Sequence, residues 1–384
     1  MKHIILIFCL LIVNLSASGK DYEADVCVYG GTASGITAAL AAKSRGMSVI
    51  IVEPMKNLGG VAGGGISISW DCLFLDDIGG IALELHNADS LHQWEVRTML
   101  KKKVEQAGIK YFTEFRLDGK DDVVVNGSTI EKIYLNHAPI MDEGVPPREP
   151  DSKHALSVRA KVFIDSSYEG DLMAFSGVDY TVGREARSKY NESLAGQRTL
   201  QVFDVDPYVE KGNPDSGLLP MISTEPYVEG GASRYTNAYN FRLLGIGRGK
   251  QSYYHSFVKN DVRVPMRPLG RFVDEKKYAL AIRALKDNPT AISWPHYNYD
   301  RHRMLSSSIP GRQADYPDGS WAARSEYWRE LIDHVKTMYL LTKDENVALL
   351  KGYYPTNGDF PDQLYIRLYG VRICGHGRSG WYSC

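Results

Sequence analysis

The chain has 384 residues, 43% of them hydrophobic, with 45 lysines and arginines against 46 aspartates and glutamates for a formal net charge of −1. Such a composition supports one large core or two modest ones and excludes a disordered chain. The near-neutral balance argues against a nucleic-acid partner, because the basic triplet from Lys101 to Lys103 reads as one solvated helix face, too short to track phosphates.

The first element is an address. Lys2, an apolar run from Ile4 to Val13 and the small residues Ser16, Ala17 and Ser18 read as a secretory signal peptide over residues 1–18, which predicts a periplasmic or secreted protein. The run is too short to span a bilayer, so no stable membrane anchor is expected. No twin arginine precedes it, so a Sec-type route would carry the chain unfolded and any cofactor would be acquired after crossing. Cys9 lies inside the run, too early for lipid modification. Of the other cysteines, Cys27 falls in a strand as a small core hydrophobe, whereas Cys72, Cys374 and Cys384 form no disulfide framework. No C-x-x-C or paired-histidine spacing points to a metal.

An apolar strand from Asp25 to Val28 then runs into Tyr29-Gly30-Gly31-Thr32-Ala33-Ser34-Gly35 and an alanine-rich helix from Ser34 to Arg45. A second strand, Val49 to Val52, closes on Glu53. This is the pattern of a nucleotide-binding βαβ unit. A pyrophosphate must approach the backbone at a helix N-terminus, so Gly30 and Gly35 are expected to clear its path and Glu53 to receive ribose hydroxyls. Thr32 stands where the fingerprint has its middle glycine; the flanking strand, helix and acid carry the reading, against a glycine turn of another α/β protein. Pro54 to Asn57, Leu58-Gly59-Gly60-Val61 and Gly63 to Gly65 follow. Glycines in that density suit a chain lying flat along a long cofactor, although a plain flexible loop has the same composition.

Further on, Leu91 to Gln106 is apolar at helical spacing and is stopped by Gly108; Ile109 to Phe112 is a short strand. Val123 to Val125 and Thr129 to Leu135 form a hairpin on the Asn126-Gly127 turn, and Ala138 to Lys153 reads as a surface loop. A buried strand from Val158 to Ile164 ends in Asp165-Ser166-Ser167-Tyr168-Glu169-Gly170-Asp171. From residues alone this is a strand terminus with a capped helix, Asp165 or Ser166 serving as N-cap. Late in the chain, Ser325 to Leu341 has the spacing of an amphipathic helix.

Several of these blocks together resemble the exported FAD-dependent oxidoreductases of bacteria, a family sometimes called xanthan-lyase-like. They are Tyr29 to Gly35, Leu58 to Gly60, Phe163 to Ala174, Val182 to Arg187, Glu192 to Gly196, Tyr239 to Arg242, Tyr316 to Trp328 and Gln363 to Arg367. The resemblance implies a glutathione-reductase-like FAD fold, in which threonine is common at the Thr32 position and the Asp165 block is a second place where backbone meets the cofactor. The expected fold class is α/β: a Rossmann-like FAD-binding domain over residues 19–180, with a parallel sheet and a β-hairpin or meander insertion, plus an α+β substrate or cap domain over 181–367. The expected FAD contacts are Gly30, Gly31, Thr32, Ala33, Ser34, Gly35, Glu53, Pro54, Gly59, Gly60, Val61 and Asp165. Residues 368–384 depart from the family pattern and are expected to stand in place of a C-terminal FAD-domain segment, which would make the chain a truncated product with weakened flavin binding.

The expected activity is oxidation of a small organic substrate, the flavin accepting a hydride equivalent, with an unnamed electron acceptor. Arg184 and Arg242 are candidates for charge handling, and His255, His296 and His302 for the base, with His255 placed first. Aromatic residues, among them Tyr253, Tyr254, Trp294, Trp321 and Trp328, suit a carbohydrate-derived substrate or, equally, a packed core. Two other readings stay open. One is a nicotinamide-dependent dehydrogenase, disfavoured because the glycine segment after Glu53 and the Asp165 block have no place in a simple nicotinamide domain. The other is a non-catalytic remnant with an incomplete flavin site.

Overall fold

The four valines and isoleucines of β2 (Val49–Glu53) are all buried, and β1 (Lys20–Tyr29) ends in an unbroken buried run from Val26 to Tyr29. Continuous apolar strands of this kind belong at the centre of a parallel sheet covered on both faces. The computed structural model describes residues 19–63, 78–86, 93–141, 144–197, 206–219, 228–233, 239–243, 245–247, 263–264, 283, 303–306, 315–330, 347–350, 365–366 and 373–374.

Between β1 and β2 runs α1 (Ala33–Ser44), and after β2 come α2 (Gly60–Gly63), α3 (Gly80–His86) and α4 (Gln93–Gln106). The chain then lays down β3 (Lys110–Thr113), β4 (Phe115–Arg116), β5 (Val123–Asn126), β6 (Thr129–His137) and β7 (Ser152–Asp165), followed by α5 (Asp171–Phe175). The sheet order is β3-β2-β1-β7-β6-β4, with β5 paired to β6. The first four of these strands are parallel, and β7 continues antiparallel into the meander. The mixed α/β, Rossmann-like class expected from the sequence is the class observed. β7 starts earlier than expected, at Ser152, because its N-terminal half pairs with β6.

Period-two alternation splits the core in two. Val26, Val28, Val49 and Ile51 pack with Ile36 and Ala39 of α1 and with Val96, Leu100 and Val104 of α4. Cys27, Tyr29, Ile50 and Val52 face the other way, onto Leu117, Ile133, Leu135 and Leu172. α1 can lie close because Gly35 and Ala39 are two of its three buried positions. α4 stops where Gly108 takes φ +63°, and the hairpin turns on Gly127 at φ +61°. Cys27 is the core hydrophobe expected of it; burial pushes its thiol up to about 12.

Beyond α5 the described strands are short and antiparallel. They are β8 (Tyr180–Thr181), β9 (Tyr239–Leu243), β10 (Gly245–Gly247), β11 (Arg263–Val264), β12 (Arg303–Ser306), β13 (Val347–Leu350), β14 (Tyr365–Ile366) and β15 (Ile373–Cys374). They pair as β10-β13-β11, β12-β9-β14 and β15-β8. β14 lies beside α2, so Tyr365 and Ile366 come back to the glycine segment. In the tail, β15 pairs with β8 just after the Rossmann-like unit. The late helix is described over 321–330, beginning four residues before the expected Ser325. It docks on the meander side of the sheet, where Trp321 donates its indole N–H to the Leu117 carbonyl at 2.8 Å. Residues 316–330 therefore pack on the sheet unit although they lie within 181–367 by sequence. Among the described residues no helix is long and apolar enough to cross a membrane.

Candidate cofactor site

Register decides where the site forms. Tyr29 pairs with Val52 on one side and with Asp165 on the other, so the turns after β1, β2 and β7 emerge side by side at the carboxyl edge of the sheet. In open α/β sheets this is the edge where ligands bind.

The first turn is built from main chain. Thr32 caps α1: its Oγ1 accepts from the Gly35 amide at 3.2 Å and donates to the Ser166 carbonyl at 2.9 Å. Early amides of a helix have no intrahelical acceptor, so those of Ala33 and Ser34 open α1 as donors for an anion. Gly30 has φ +100°, and a Cβ there would collide with the Ser167 main-chain nitrogen. On Gly35 a Cβ would run into the Gly30 carbonyl oxygen. The steric demand on both glycines comes from the protein's own neighbouring backbone, beyond the clear path foreseen for a pyrophosphate.

Glu53 is 6% exposed. Its Oε2 accepts from the Gly31 amide at 2.7 Å and its Oε1 from the Met55 amide at 2.8 Å. Burial pushes its carboxyl up to about 8, against those two hydrogen bonds, with Glu169 adding in the same direction. Beyond those two bonds the group, protonated below about 8, keeps an O–H donor and some acceptor capacity for a ligand's hydroxyls. Pro54, the next residue, is buried as well.

The second segment crosses the first. The Gly59 amide donates to the Gly31 carbonyl at 2.7 Å, and Thr32 and Gly59 form a parallel bridge. Gly59 and Gly60 have φ +108° and +50°, conformations that favour glycine. A Cβ on Gly60 would strike the Tyr168 hydroxyl. The side chain of Val61 is outside the described residues.

The third segment is the loop after β7. Asp165 Oδ1 accepts from the Ser167 amide at 2.9 Å and its hydroxyl at 2.7 Å, and Oδ2 from the Met173 amide at 2.9 Å. Asp165 thus caps α5 from six residues before its start, whereas the adjacent N-cap is Gly170 at φ +69°. The expectation that Asp165 or Ser166 would be the N-cap is corrected: the loop from 166 to 170 intervenes. Burial comes first in raising Asp165 to about 6 and Glu169 to about 7.

The remaining candidates are scattered. Arg184 is in a backbone bridge with Ser233, and its Nη2 donates to the Leu194 carbonyl at 2.5 Å. Arg242 is in β9, with its side chain outside the described residues; His255, His296 and His302 are outside them altogether. Trp321 and Trp328, considered for a sugar face, are 8% and 1% exposed, and Trp328 donates to the Tyr316 hydroxyl at 3.0 Å. They are core. Sequence reasoning missed the buried Asp171–Arg324 pair, whose only sequence signal was the presence of both residues in family-like blocks. Among the described residues no group of three or more histidine, cysteine or acidic side chains is placed to hold a metal.

Three main-chain segments meeting at a parallel sheet's carboxyl edge, with a buried acid closing β2, define a dinucleotide-binding protein of the Rossmann type. A family model, FAD dependent oxidoreductase, matches residues 25–369, and the chain belongs to that family. Its cofactor is FAD, and the glycine turn, open helix amides and buried Glu53 fit it. No curated protein matches. Similar solved structures include L-proline dehydrogenase from P. horikoshii, with 16% identity, coverage of 44% of this chain and 25% of that one, and a TM-score of 0.25. A geranylgeranyl bacteriochlorophyll reductase-like protein from Thermoplasma acidophilum is 13% identical, with coverage of 60% and 49% and a TM-score of 0.29. The 3-ketosteroid-Δ4-(5α)-dehydrogenase from Rhodococcus jostii RHA1 is 14% identical, with 44% and 58% covered and a TM-score of 0.28. The chain spans less than two thirds of the length of each.

Proposed function

We propose that the protein is an FAD-dependent oxidoreductase acting on a small organic substrate, exported after removal of residues 1–18. The observation that supports it is the crossing of 30–35, 58–60 and 165–167 at one sheet edge, within a chain of the FAD dependent oxidoreductase family. In this reading the Ala33 and Ser34 amides hold the pyrophosphate, and α1 adds the positive end of its dipole. Glu53 takes the ribose hydroxyls with the hydrogen-bonding capacity left by Gly31 and Met55.

Bound FAD supplies the redox centre that accepts a hydride equivalent from the substrate. The chain's task is to hold the substrate C–H bond in place, take up the proton and exclude water. Residues 181–367, apart from the docked stretch 316–330, are the proposed substrate-binding part, with Arg184, Arg242 and His255 as candidates for charge and proton handling. A carbohydrate-derived substrate is suggested by the aromatic residues between Tyr253 and Tyr299.

A visible spectrum of the purified protein tests this. Blue-region absorption that bleaches on reduction is the expected result; a colourless protein that binds NADH, or one that binds neither nucleotide, would refute it. The intact mass of the same preparation reads removal of residues 1–18.

A further inference from the structure

Arg324 and Asp171 are 153 residues apart in sequence, yet their side chains meet in a two-point pair, Nη1 to Oδ2 at 2.6 Å and Nη2 to Oδ1 at 2.7 Å. Both side chains are almost fully buried, at 1% and 2% exposed. The rest of the guanidinium is fixed as well: Nε donates to the Tyr316 carbonyl at 3.1 Å and Nη2 to the Pro317 carbonyl at 2.6 Å. Trp321 presents its ring to the same cation at 4.9 Å. The arginine is a rigid post on the 315–330 segment.

What it holds leads straight to the cofactor edge. Asp171 is the first residue of α5, and the Met173 amide of that helix donates to Asp165. Asp165 fixes Ser167 through amide and hydroxyl, and Ser167 Oγ accepts from the Gly170 amide at 2.9 Å. Ser166 and Ser167 form the backbone that fills the space beside Gly30; the Ser166 amide donates to the Tyr29 carbonyl at 2.7 Å, and its carbonyl accepts from Thr32. Tyr168 fills the space beside Gly60. The loop from 165 to 171 is thus the floor on which the first two glycine turns rest.

That floor is rich in negative charge. Asp165, Glu169 and Asp171 lie on one short loop, and the field of Arg324 reaches Glu169 as well as Asp171. A dinucleotide would bring two further negative charges to the same edge.

We propose that Arg324 is a positioning residue of the dinucleotide cradle. By gripping Asp171 and balancing its charge, it sets the 165–171 loop against Gly30 and Gly60, so that the docked 315–330 segment tunes cofactor affinity. The inference rests on reading the 30–35 turn as the FAD site. Without the guanidinium, the first turn of α5 loses its two-point tie to the 315–330 segment. A shift of that turn would draw the Met173 amide from Asp165, and with it Ser167 away from Gly30.

The test is FAD affinity of the full chain, freed of bound flavin, at pH 6 and pH 8, by equilibrium dialysis. Arg324→Met is expected to raise the FAD Kd at least about tenfold over wild type at each pH. Each ratio is taken to wild type at the same pH, because Asp165 and Glu169 on the loop, Glu53, Tyr29, Tyr316 and Arg116 also face this cluster and are common to both proteins. Asp171→Asn combined with Arg324→Met should recover most of the affinity. A purely packing role would leave single and double variants equally impaired. Binding by Arg324→Met within twofold of wild type at both pH values, or a double variant no better than the single, overturns the inference. Should Arg324→Met fail to fold, Arg324→Lys keeps the charge without the two-point grip: a Kd raised severalfold supports the role, and an unchanged Kd overturns it. A wild-type chain that binds no FAD overturns instead the functional reading beneath it.

Discussion

Two neighbouring turns at the carboxyl edge of the sheet are built from opposite materials. The one after β1, residues 30–35, holds no charged side chain; glycines, a threonine and a serine leave main-chain amides as its functional groups. The one after β7, residues 165–171, carries three carboxylates. An anionic cofactor is served by the first and would be repelled by the second if its acids faced the ligand freely. They are instead tied down: Asp165 by the amides of Ser167 and Met173, and Asp171 by Arg324. The difference teaches that one turn offers donors while the other supplies shape, its charge absorbed by partners inside the protein.

The comparison breaks most severely at the contact between the turns. In Gly30→Ala a methyl group would enter the space of the Ser167 backbone at a φ of +100°. Strain and overpacking together should cost about 2–5 kcal/mol. The expected outcome is a lowered melting temperature and FAD affinity reduced by about a hundredfold or more, read by thermal denaturation and flavin titration.

Glu53 sharpens the contrast through pH. Its carboxyl is held in the fold at about 8, against an ordinary 4.5, chiefly by burial. Between those values the folded state keeps a proton that the unfolded state has lost, so stability is highest below about 4.5 and falls as pH rises toward 8. The slope should reach up to about 1.4 kcal/mol per pH unit. Glu53→Gln should flatten that contribution, and urea denaturation of the flavin-free protein at pH 5 to 8 checks it. Parallel curves for the two proteins would show that Glu53 folds already ionised.

Ser167→Ala addresses the second turn with the smallest expected effect. It removes the hydroxyl between Asp165 and the Gly170 amide, both partners keeping other contacts or access to water. A loss of about 1 kcal/mol and a few-fold change in FAD Kd are expected, by denaturation and titration.

Much of this edge was legible in the sequence. Apolar runs at 26–29 and 49–52 gave the central strands, since residues buried on both faces must be apolar. The turn at Asn126-Gly127 gave the hairpin, and the cluster Gly30-Gly31-Thr32 gave the first turn, since only particular residues take those conformations. The cap on α5 was misplaced because Asp165 reaches the Met173 amide eight residues ahead over an intervening loop, a span no cap pattern covers. Trp321 and Trp328 looked equally suited to a sugar face or a core, because an aromatic ring carries no mark of its surroundings.

By itself the sequence determined the elements: strand, glycine turn, helix and closing acid follow from short-range backbone sterics and hydrophobic periodicity, which a window of some ten to twenty residues contains. Tertiary structure alone decided that Gly30 yields its side-chain space to Ser167, that Glu53 spends two lone pairs on amides, and that Arg324 finds Asp171. Those choices depend on which surfaces pack together across the sheet, and the field around a buried charge is set by neighbours in space, wherever they stand in the chain.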